Sequence, residues 1–181
     1  MGSKEDVALE KLKLLIDANH IQERVEELAA QIESEMTECD PLMVITLKGG
    51  LMFGADLLRA LERPWPVVFI RPRGEVAIDG VLSSSDREQI RGKDLLIVDA
   101  LMDTGGSVQD LINWLKPLQP ASIRVAVLLH RTVPDPEPVQ INYLGFEVPN
   151  MRLVGYGLDE NHLYRGMAGV HTWWKPLPAD G

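Results

Sequence analysis

The segment Leu95-Leu-Ile-Val-Asp-Ala-Leu-Met-Asp-Thr-Gly-Gly-Ser107 decides the fold that this sequence predicts. Its apolar first half is typical of a buried strand, and its polar second half leads into the helical stretch Val108 to Leu115. Two adjacent glycines and two hydroxyl side chains lie at the start of that helix. Backbone N–H groups at a helix N-terminus, free of bulky side chains, form a cradle for a phosphate. An N-cap with a tight turn explains the same local residues about equally well.

Asp99, directly after the apolar strand, favours the interpretation as a binding site. A carboxylate is poorly placed there in a mere turn, but it can hold sugar hydroxyls beside a bound phosphate. The segment is not a Walker loop, which needs Gly-Lys-Ser/Thr, and it lacks the Gly-x-Gly-x-x-Gly pattern of dinucleotide-binding folds. A sugar phosphate is therefore the ligand that these residues favour.

Strands and helices alternate on both sides of this segment, which predicts an α/β fold. The pattern indicates a mostly parallel twisted sheet with helices on both faces. The polar stretch Arg71 to Arg91 is expected to form a long loop or hairpin, and residues 1–11 are expected to be loose. No linker divides the chain, so residues 1–181 are expected to form one domain. The predicted helices are Ile21 to Met36, Leu51 to Glu62 and Val108 to Leu115, and the predicted strands are Met43 to Leu47, Val67 to Ile70, Asp94 to Val98, Ile123 to Leu129, Tyr143 to Val148 and Leu153 to Leu158.

Composition excludes several classes of protein. The chain has 181 residues, of which 45% are hydrophobic, and this is enough for one globular core. Its formal net charge of -9 opposes general binding to nucleic acid, so an anionic ligand needs local attraction. No apolar run approaches the ~20 residues that span a bilayer, and no apolar signal core is found. Together with the single cysteine, Cys39, these features lead us to expect a cytoplasmic protein without membrane partners.

Several motifs in order and spacing, from about residue 13 to 171, resemble the phosphoribosyltransferases, specifically the hypoxanthine-guanine branch. The opening segment resembles that family's signature for phosphoribosyl pyrophosphate. The other similar stretches are Ile21 to Ile32, Leu47 to Phe53, Gly92 to Val98, Leu144 to Pro149 and Val154 to Asp159, with Arg165 beyond. The resemblance implies a type I phosphoribosyltransferase-like fold with a small hood from the C-terminal segment. It also implies a homodimer or homotetramer.

The function that the resemblance implies is purine salvage: a purine base is transferred to the ribose of phosphoribosyl pyrophosphate, and pyrophosphate leaves with Mg²⁺ assistance. Asp103, Lys48 and Arg165 are then the candidate catalytic residues. Asp103 takes the place of the acid or base at purine N7, and Arg165 meets pyrophosphate. Asp159 and Asp99 are the candidate magnesium ligands. The candidate substrate-binding residues are Thr104, Gly105, Gly106 and Ser107 for the 5'-phosphate, Asp99 for a ribose hydroxyl, Lys48 and Gly49 for pyrophosphate, and Asp103, His130, Arg152 and Leu153 for the base.

Four positions depart from the family pattern. Ala100 replaces the second acid of the signature, His130 stands where a lysine is usual, and Arg152 stands where an aromatic ring is usual. The region beginning Arg71-Pro-Arg-Gly74 lacks the usual Ser-Tyr pair. Two explanations are open. One is a working transferase with altered base preference. The other is a catalytically weakened homologue that binds phosphoribosyl pyrophosphate or a nucleotide in a regulatory role.

Overall fold

Five parallel strands form the centre of the molecule in the computed structural model, which describes residues 12–71, 84–132 and 139–176. A second sheet has three strands, and none of them pairs with a strand of the first sheet. The elements are, in chain order, β1 (Leu12–Ile16), α1 (Ala18–Glu35), β2 (Pro41–Thr46), α2 (Leu51–Ala60), β3 (Val67–Ile70), α3 (Ser84–Ile90), β4 (Asp94–Met102), α4 (Gly106–Leu115), a 3₁₀ turn (Lys116–Leu118), β5 (Ser122–Arg131), β6 (Tyr143–Val148), β7 (Met151–Val154) and β8 (Val170–Pro176).

The order of the parallel strands, β3-β2-β4-β5-β6, puts β4 at the centre of the sheet. Residue Val98 of β4 pairs with Ile45 of β2, and Met102 pairs with His130 of β5. The carboxyl ends of β2, β4 and β5 therefore meet at one edge. Ligands of open parallel sheets bind at this edge, where strands lead into helices.

Helices cover both faces of the sheet, and this confirms the predicted fold class. One apolar cluster joins α1 and α2 to the sheet and includes the fully buried Val25, Phe53 and Leu96. The other joins α3 and α4 to the opposite face and includes Ile90 and Leu111. The near-continuous apolar sequence of β4 is explained by burial on both faces, which parallel strands require.

The hood is built from both ends of the chain. Strand β8 pairs antiparallel with β1 and with β7, in the order β1-β8-β7. The predicted strand Leu153 to Leu158 ends earlier, at Val154, because Gly155 and Gly157 both adopt φ of +93° in the following turns. Strands β1 and β8 were not predicted, since their pairing partners are distant in sequence.

The polar stretch Arg71 to Arg91, predicted as a loop or hairpin, contains helix α3 over Ser84–Ile90. Ile90 is fully buried and anchors the helix in the second apolar cluster. With so few apolar positions, the segment has no detectable helical period. Residues 1–11, and residues 72–74 of the region beginning Arg71-Pro-Arg-Gly74, lie outside the described residues. Among the described residues, no helix has the length and apolar content needed to cross a membrane.

Candidate active site

The predicted phosphate cradle lies at a glycine turn that follows β4. Gly105 precedes α4 with φ of +93°, a conformation that strains any residue with a Cβ. The N-cap residue Gly105 has no side chain, and the Gly106 N–H donates a long hydrogen bond of 3.4 Å to Thr104 Oγ1. A cavity of about 190 Å³ lies here, lined by Asp99, Leu101, Met102, Asp103, Thr104, Gly105, Gly106, Ser107 and Val108. The turn therefore leaves open space at a helix N-terminus, which is the kind of place where anions bind.

Asp99 lies at the base of this cradle and is partly buried. Its Oδ1 accepts a hydrogen bond of 2.8 Å from the backbone N–H of Ala100. Burial raises the pKa of Asp99 to about 6, although hydrogen bonds from the Thr46 side chain and from the backbone of Ala100 and Leu101 lower it. Water therefore solvates the carboxylate poorly. A ligand hydroxyl that donates a hydrogen bond to it would take the place of a water molecule.

A second cavity of about 450 Å³ opens beside the cradle, at the ends of β4 and β5. An ion pair joins two of its charged residues: Arg131 Nη1 donates to Asp103 Oδ2 at 3.0 Å. The lining residues are Gly49, Leu101, Asp103, Arg131, Arg152, Leu153, Leu158, Asp159 and Arg165. Leu101 and Asp103 line both cavities, so the two cavities are adjacent.

The Asp103–Arg131 pair has unused hydrogen-bonding capacity. Oδ1 of Asp103 and Nε of Arg131 are buried and have no hydrogen-bond partner. Buried polar atoms are nearly always satisfied, so a molecule in the cavity that both donates and accepts hydrogen bonds would complete this pair. Arg131 itself is only 9% exposed and has no other ion-pair partner among the described residues.

Arg131 lines the cavity beside Asp103, whereas the predicted base contact His130 does not, and the sequence did not single out Arg131. Neighbouring residues on a strand point to opposite faces, so His130 faces away from the cavity that Arg131 lines. His130 pairs in register with Met102 and Glu147. The parallel register of β4 with β5 sets Arg131 beside Asp103 at the ends of the two strands. This register cannot be read from the sequence of either strand alone.

The hood contributes a second ion pair to the cavity. Arg165 Nη2 lies 2.5 Å from Asp159 Oδ1, and Arg165 Nη1 donates to the carbonyl of Gly157 at 2.6 Å. A Cβ on Gly157 would come within 2.3 Å of the Gly49 carbonyl. Gly157 therefore allows the hood to sit directly on the turn after β2, where Lys48 is exposed. The structure thus brings Gly49, Asp159 and Arg165 together.

Arg152 and Leu153 of β7 form the remaining wall of this cavity. Arg152 Nη1 donates to Glu160 Oε1 at 2.7 Å, and the Arg152 carbonyl accepts from Thr172 Oγ1 at 3.0 Å. Leu153 is 4% exposed and packs in the first apolar cluster. The wall is therefore an ion pair beside an aliphatic residue, without an aromatic ring.

Comparison with known proteins assigns this architecture. The model of the phosphoribosyl transferase domain matches residues 15–161. The chain belongs to the phosphoribosyltransferase family. A hypoxanthine-guanine phosphoribosyltransferase of Aquifex aeolicus is 33% identical over 173 residues, which cover 92% of this chain and 97% of the relative. One from Mycobacterium tuberculosis is 34% identical over 171 residues, covering 88% and 84%.

Solved structures agree with this assignment. A hypoxanthine-guanine-xanthine phosphoribosyltransferase superposes with a TM-score of 0.79 at 28% identity, covering 91% of this chain and 96% of that one. A hypoxanthine-guanine phosphoribosyltransferase from Bacillus anthracis superposes with a TM-score of 0.77 at 26% identity, covering 88% and 96%. The predicted resemblance and fold are confirmed, and the protein is an enzyme of the glycosyltransferase class.

Ala100 is the main departure from the phosphoribosyltransferase signature within the described residues. It is 1% exposed and packs in the first apolar cluster. A Cβ built on Gly49 would lie 3.8 Å from the Ala100 Cβ, so the residue abuts the turn that carries Lys48. Asp99 is therefore the one acid of the signature's usual adjacent pair that this chain retains.

The acids of the site fit a magnesium ion that arrives with its substrate. Within the described residues, no three His, Cys, Asp or Glu side chains are grouped to hold a metal. Asp99 and Asp159 instead line the two neighbouring cavities separately. Mg²⁺ typically keeps several waters and binds through one or two carboxylates plus substrate phosphates, and the separate carboxylates of Asp99 and Asp159 fit that pattern.

Proposed function

We propose that this protein is a purine phosphoribosyltransferase of the hypoxanthine/guanine type, acting in purine salvage. It transfers a 6-oxopurine to phosphoribosyl pyrophosphate and yields the nucleoside monophosphate and pyrophosphate. The observation that carries the proposal is the Asp103–Arg131 pair, which has one buried acceptor and one buried donor without partners. Its cavity adjoins a glycine cradle suited to a 5'-phosphate.

A 6-oxopurine is the complement of this pair. Its N7–H donor and its O6 acceptor lie on one edge of the ring system. We assign N7–H to Asp103 and O6 to Arg131, so that each free atom gains a partner. Adenine presents an amino donor at position 6 and would face the Arg131 guanidinium with a second donor. An unmatched buried donor carries a large penalty, so adenine should be rejected.

The remaining site residues bind the 5'-phosphate and the pyrophosphate of phosphoribosyl pyrophosphate. Thr104 to Ser107 hold the 5'-phosphate on the N-terminus of α4. Lys48, Gly49 and Arg165 receive the pyrophosphate, where Arg165 makes charge-assisted bonds. No nucleophilic side chain is required, because an oxocarbenium-like ribose and an anionic leaving group need electrostatic support.

Asp103 is the residue that handles the proton. As a carboxylate it accepts the N7 proton when N9 forms the bond to the ribose carbon. Asp159 and Asp99 would hold Mg²⁺ together with the polyphosphate, and the bound ion would neutralise charge on the leaving group. The chain's own contribution is to orient the base, the ribose and the two phosphate ends.

The test measures pyrophosphate release from phosphoribosyl pyrophosphate and Mg²⁺ with hypoxanthine, guanine or adenine. We expect turnover of the two 6-oxopurines and a kcat/KM for adenine about a thousandfold lower. Asp103→Asn should lower kcat about a hundredfold or more, because the proton acceptor is lost. Asp110→Asn on the exposed face of α4 is the matched control. Equal use of adenine and hypoxanthine would contradict the base assignment.

Ala100 favours one alternative, a weakened homologue that binds the sugar phosphate in a regulatory role. The missing second acid removes a ribose contact, which matters for the reactive sugar. Calorimetry with phosphoribosyl pyrophosphate and Mg²⁺ separates the two functions. Tight binding without turnover of any base would favour the alternative and overturn the enzymatic proposal.

Location and assembly are further parts of the proposal. A cytoplasmic location is supported by the single cysteine, Cys39, which is free. A homo-oligomer, dimer or tetramer, is supported by exposed apolar residues on α2 and on the edge strand β3. These are Leu51, Met52 and Phe69, with exposures of 42%, 37% and 46%. Sedimentation would determine the subunit number.

A further inference from the structure

A short hydrogen bond ties the hood to helix α2. Tyr156 Oη donates to Asp56 Oδ2 at 2.7 Å, and Tyr156 is 8% exposed. Asp56 Oδ1 accepts a second bond of 2.6 Å, from Arg59 Nη1, so both oxygens of the carboxylate are held. Burial and the bond to Asp56 raise the pKa of Tyr156. The hydroxyl therefore stays protonated and remains the donor at neutral pH.

The turn that carries Tyr156 also holds Arg165. The Tyr156 N–H donates to the Met167 carbonyl at 2.8 Å, and the Gly157 N–H donates to the Arg165 carbonyl at 2.9 Å. In return, Arg165 Nη1 donates to the Gly157 carbonyl at 2.6 Å. Both the main chain and the side chain of Arg165 are thus bonded to the residue next to Tyr156.

The backbone of this turn is strained at Tyr156. Its φ of +46° lies in the left-handed region, which a residue with an aromatic side chain rarely adopts. Such a conformation persists only where surrounding contacts hold it, and the bond from the Tyr156 hydroxyl to Asp56 supplies one. Loss of that bond should let the turn relax and move Arg165 with it.

Open space lies on two sides of Arg165. A cavity of about 260 Å³ lies between α1, α2 and the hood, and Asp56, Tyr156 and Arg165 all line it. Arg165 also lines the cavity of about 450 Å³ at the ends of β4 and β5, whereas Tyr156 does not. With space on both sides, hydrogen bonds and the ion pair with Asp159, rather than close packing, set the position of the guanidinium.

We infer that Tyr156 is a positioning residue for pyrophosphate. In the proposed transferase function, on which this inference rests, Arg165, Lys48 and Gly49 receive that group. Helix α2 follows Lys48 and Gly49 in the chain, whereas the turn at Tyr156 holds Arg165. The bond from Tyr156 to Asp56 therefore sets the two halves of the pyrophosphate site against each other before the ligand arrives. Tyr156 acts through Arg165 and does not itself touch the ligand.

The experiment runs the reaction in reverse, from inosine monophosphate, pyrophosphate and Mg²⁺. We expect Tyr156→Phe to raise the KM for pyrophosphate about tenfold, because a displaced Arg165 loses charge-assisted contacts. The KM for inosine monophosphate should change less than about twofold, because its 5'-phosphate binds at α4, away from this turn. Tyr143→Phe is the matched control, since it removes another buried hydroxyl that donates to a helix carboxylate, that of Glu35, at 3.0 Å.

A double-mutant cycle assigns the effect to the bond itself. Asp56→Ala should raise the KM for pyrophosphate as Tyr156→Phe does, and the double variant should be no worse than either alone. Asp56→Asn keeps an oxygen that accepts from the Tyr156 hydroxyl, so it should retain most of the affinity. Arg59→Gln controls for the loss of the ion pair between Arg59 and Asp56.

Calorimetry with pyrophosphate and Mg²⁺ provides a readout besides turnover. An unchanged dissociation constant in Tyr156→Phe, or an equal effect in Tyr143→Phe, would overturn the positioning role. A parallel weakening of inosine monophosphate would also overturn it, because general damage to the fold affects both ligands. If the wild type turns over no base, the proposed function fails, and the dissociation constants of pyrophosphate still decide the role of Tyr156.

Discussion

Replacement of Asp99 by Asn should make the protein more stable while weakening its binding of the sugar phosphate. Burial raises the pKa of Asp99 from 3.8 to about 6, so the folded protein binds this proton more tightly than the unfolded chain does. The stabilising contribution of the protonated group is therefore complete below pH 3.8 and is lost as the pH rises through about 6. At neutral pH the folded protein holds a poorly solvated carboxylate.

The size of the effect follows from the two pKa values. At about 1.4 kcal/mol for each pH unit, the rise from 3.8 to about 6 corresponds to a cost of about 3 kcal/mol at pH 8. Asparagine has nearly the same shape, and its amide oxygen can still accept the 2.8 Å hydrogen bond from Ala100. The variant should thus gain up to about 3 kcal/mol in free energy of unfolding at pH 8, and about half of that at pH 5.

Urea denaturation at pH 8 and pH 5 measures this gain, with Asp110→Asn as the control for losing one exposed negative charge. The KM for phosphoribosyl pyrophosphate should rise about tenfold or more, because the ribose loses its carboxylate partner. The reasoning fails if Asp99→Asn is no more stable than the control at pH 8. It also fails if the gain is the same at both pH values.

Two further predictions concern the hood and helix α3. Gly157→Ala should lower the free energy of unfolding by about 2 kcal/mol or more and raise the KM for phosphoribosyl pyrophosphate, because its Cβ would meet the Gly49 carbonyl at 2.3 Å. Gly92→Ala, at φ of +72° with open space around its Cβ, is the control, and an equal loss in both variants would refute the contact. Ile90→Ala should cost about 2–4 kcal/mol, measured by thermal or urea unfolding, since Ile90 is fully buried. A loss below that of Ile90→Val would show that α3 is not anchored there.

The core of the fold was predictable from the sequence because its signals are local. Apolar runs such as Leu95 to Val98 indicate a strand buried on both faces, and the following Gly105-Gly106 indicates a turn into a helix. Each of these signals lies within a few residues. The glycine turn was predictable for the same reason, since strand, turn and helix form one continuous segment.

Elements that depend on contacts between distant parts of the chain were not predictable from the sequence. Strands β1 and β8 stabilise each other through register pairs such as Leu12 with Trp173, and neither segment alone signals a strand. Helix α3 depends on Ile90 reaching an apolar cluster formed by other elements. The local sequence pattern indicates neither the pairing of β1 with β8 nor the burial of Ile90.

The amino-acid sequence by itself determined the parallel sheet, the glycine cradle and the family resemblance, because strand periodicity and motif spacing are properties of contiguous residues. Only the tertiary structure decided which basic side chain lies beside Asp103. The register of β4 with β5 sets Arg131 there and turns His130 away. The structure likewise decided that Arg152 in the cavity wall pairs with Glu160. Both outcomes depend on side-chain direction and on ion pairs between separate elements, which no single segment of the chain specifies.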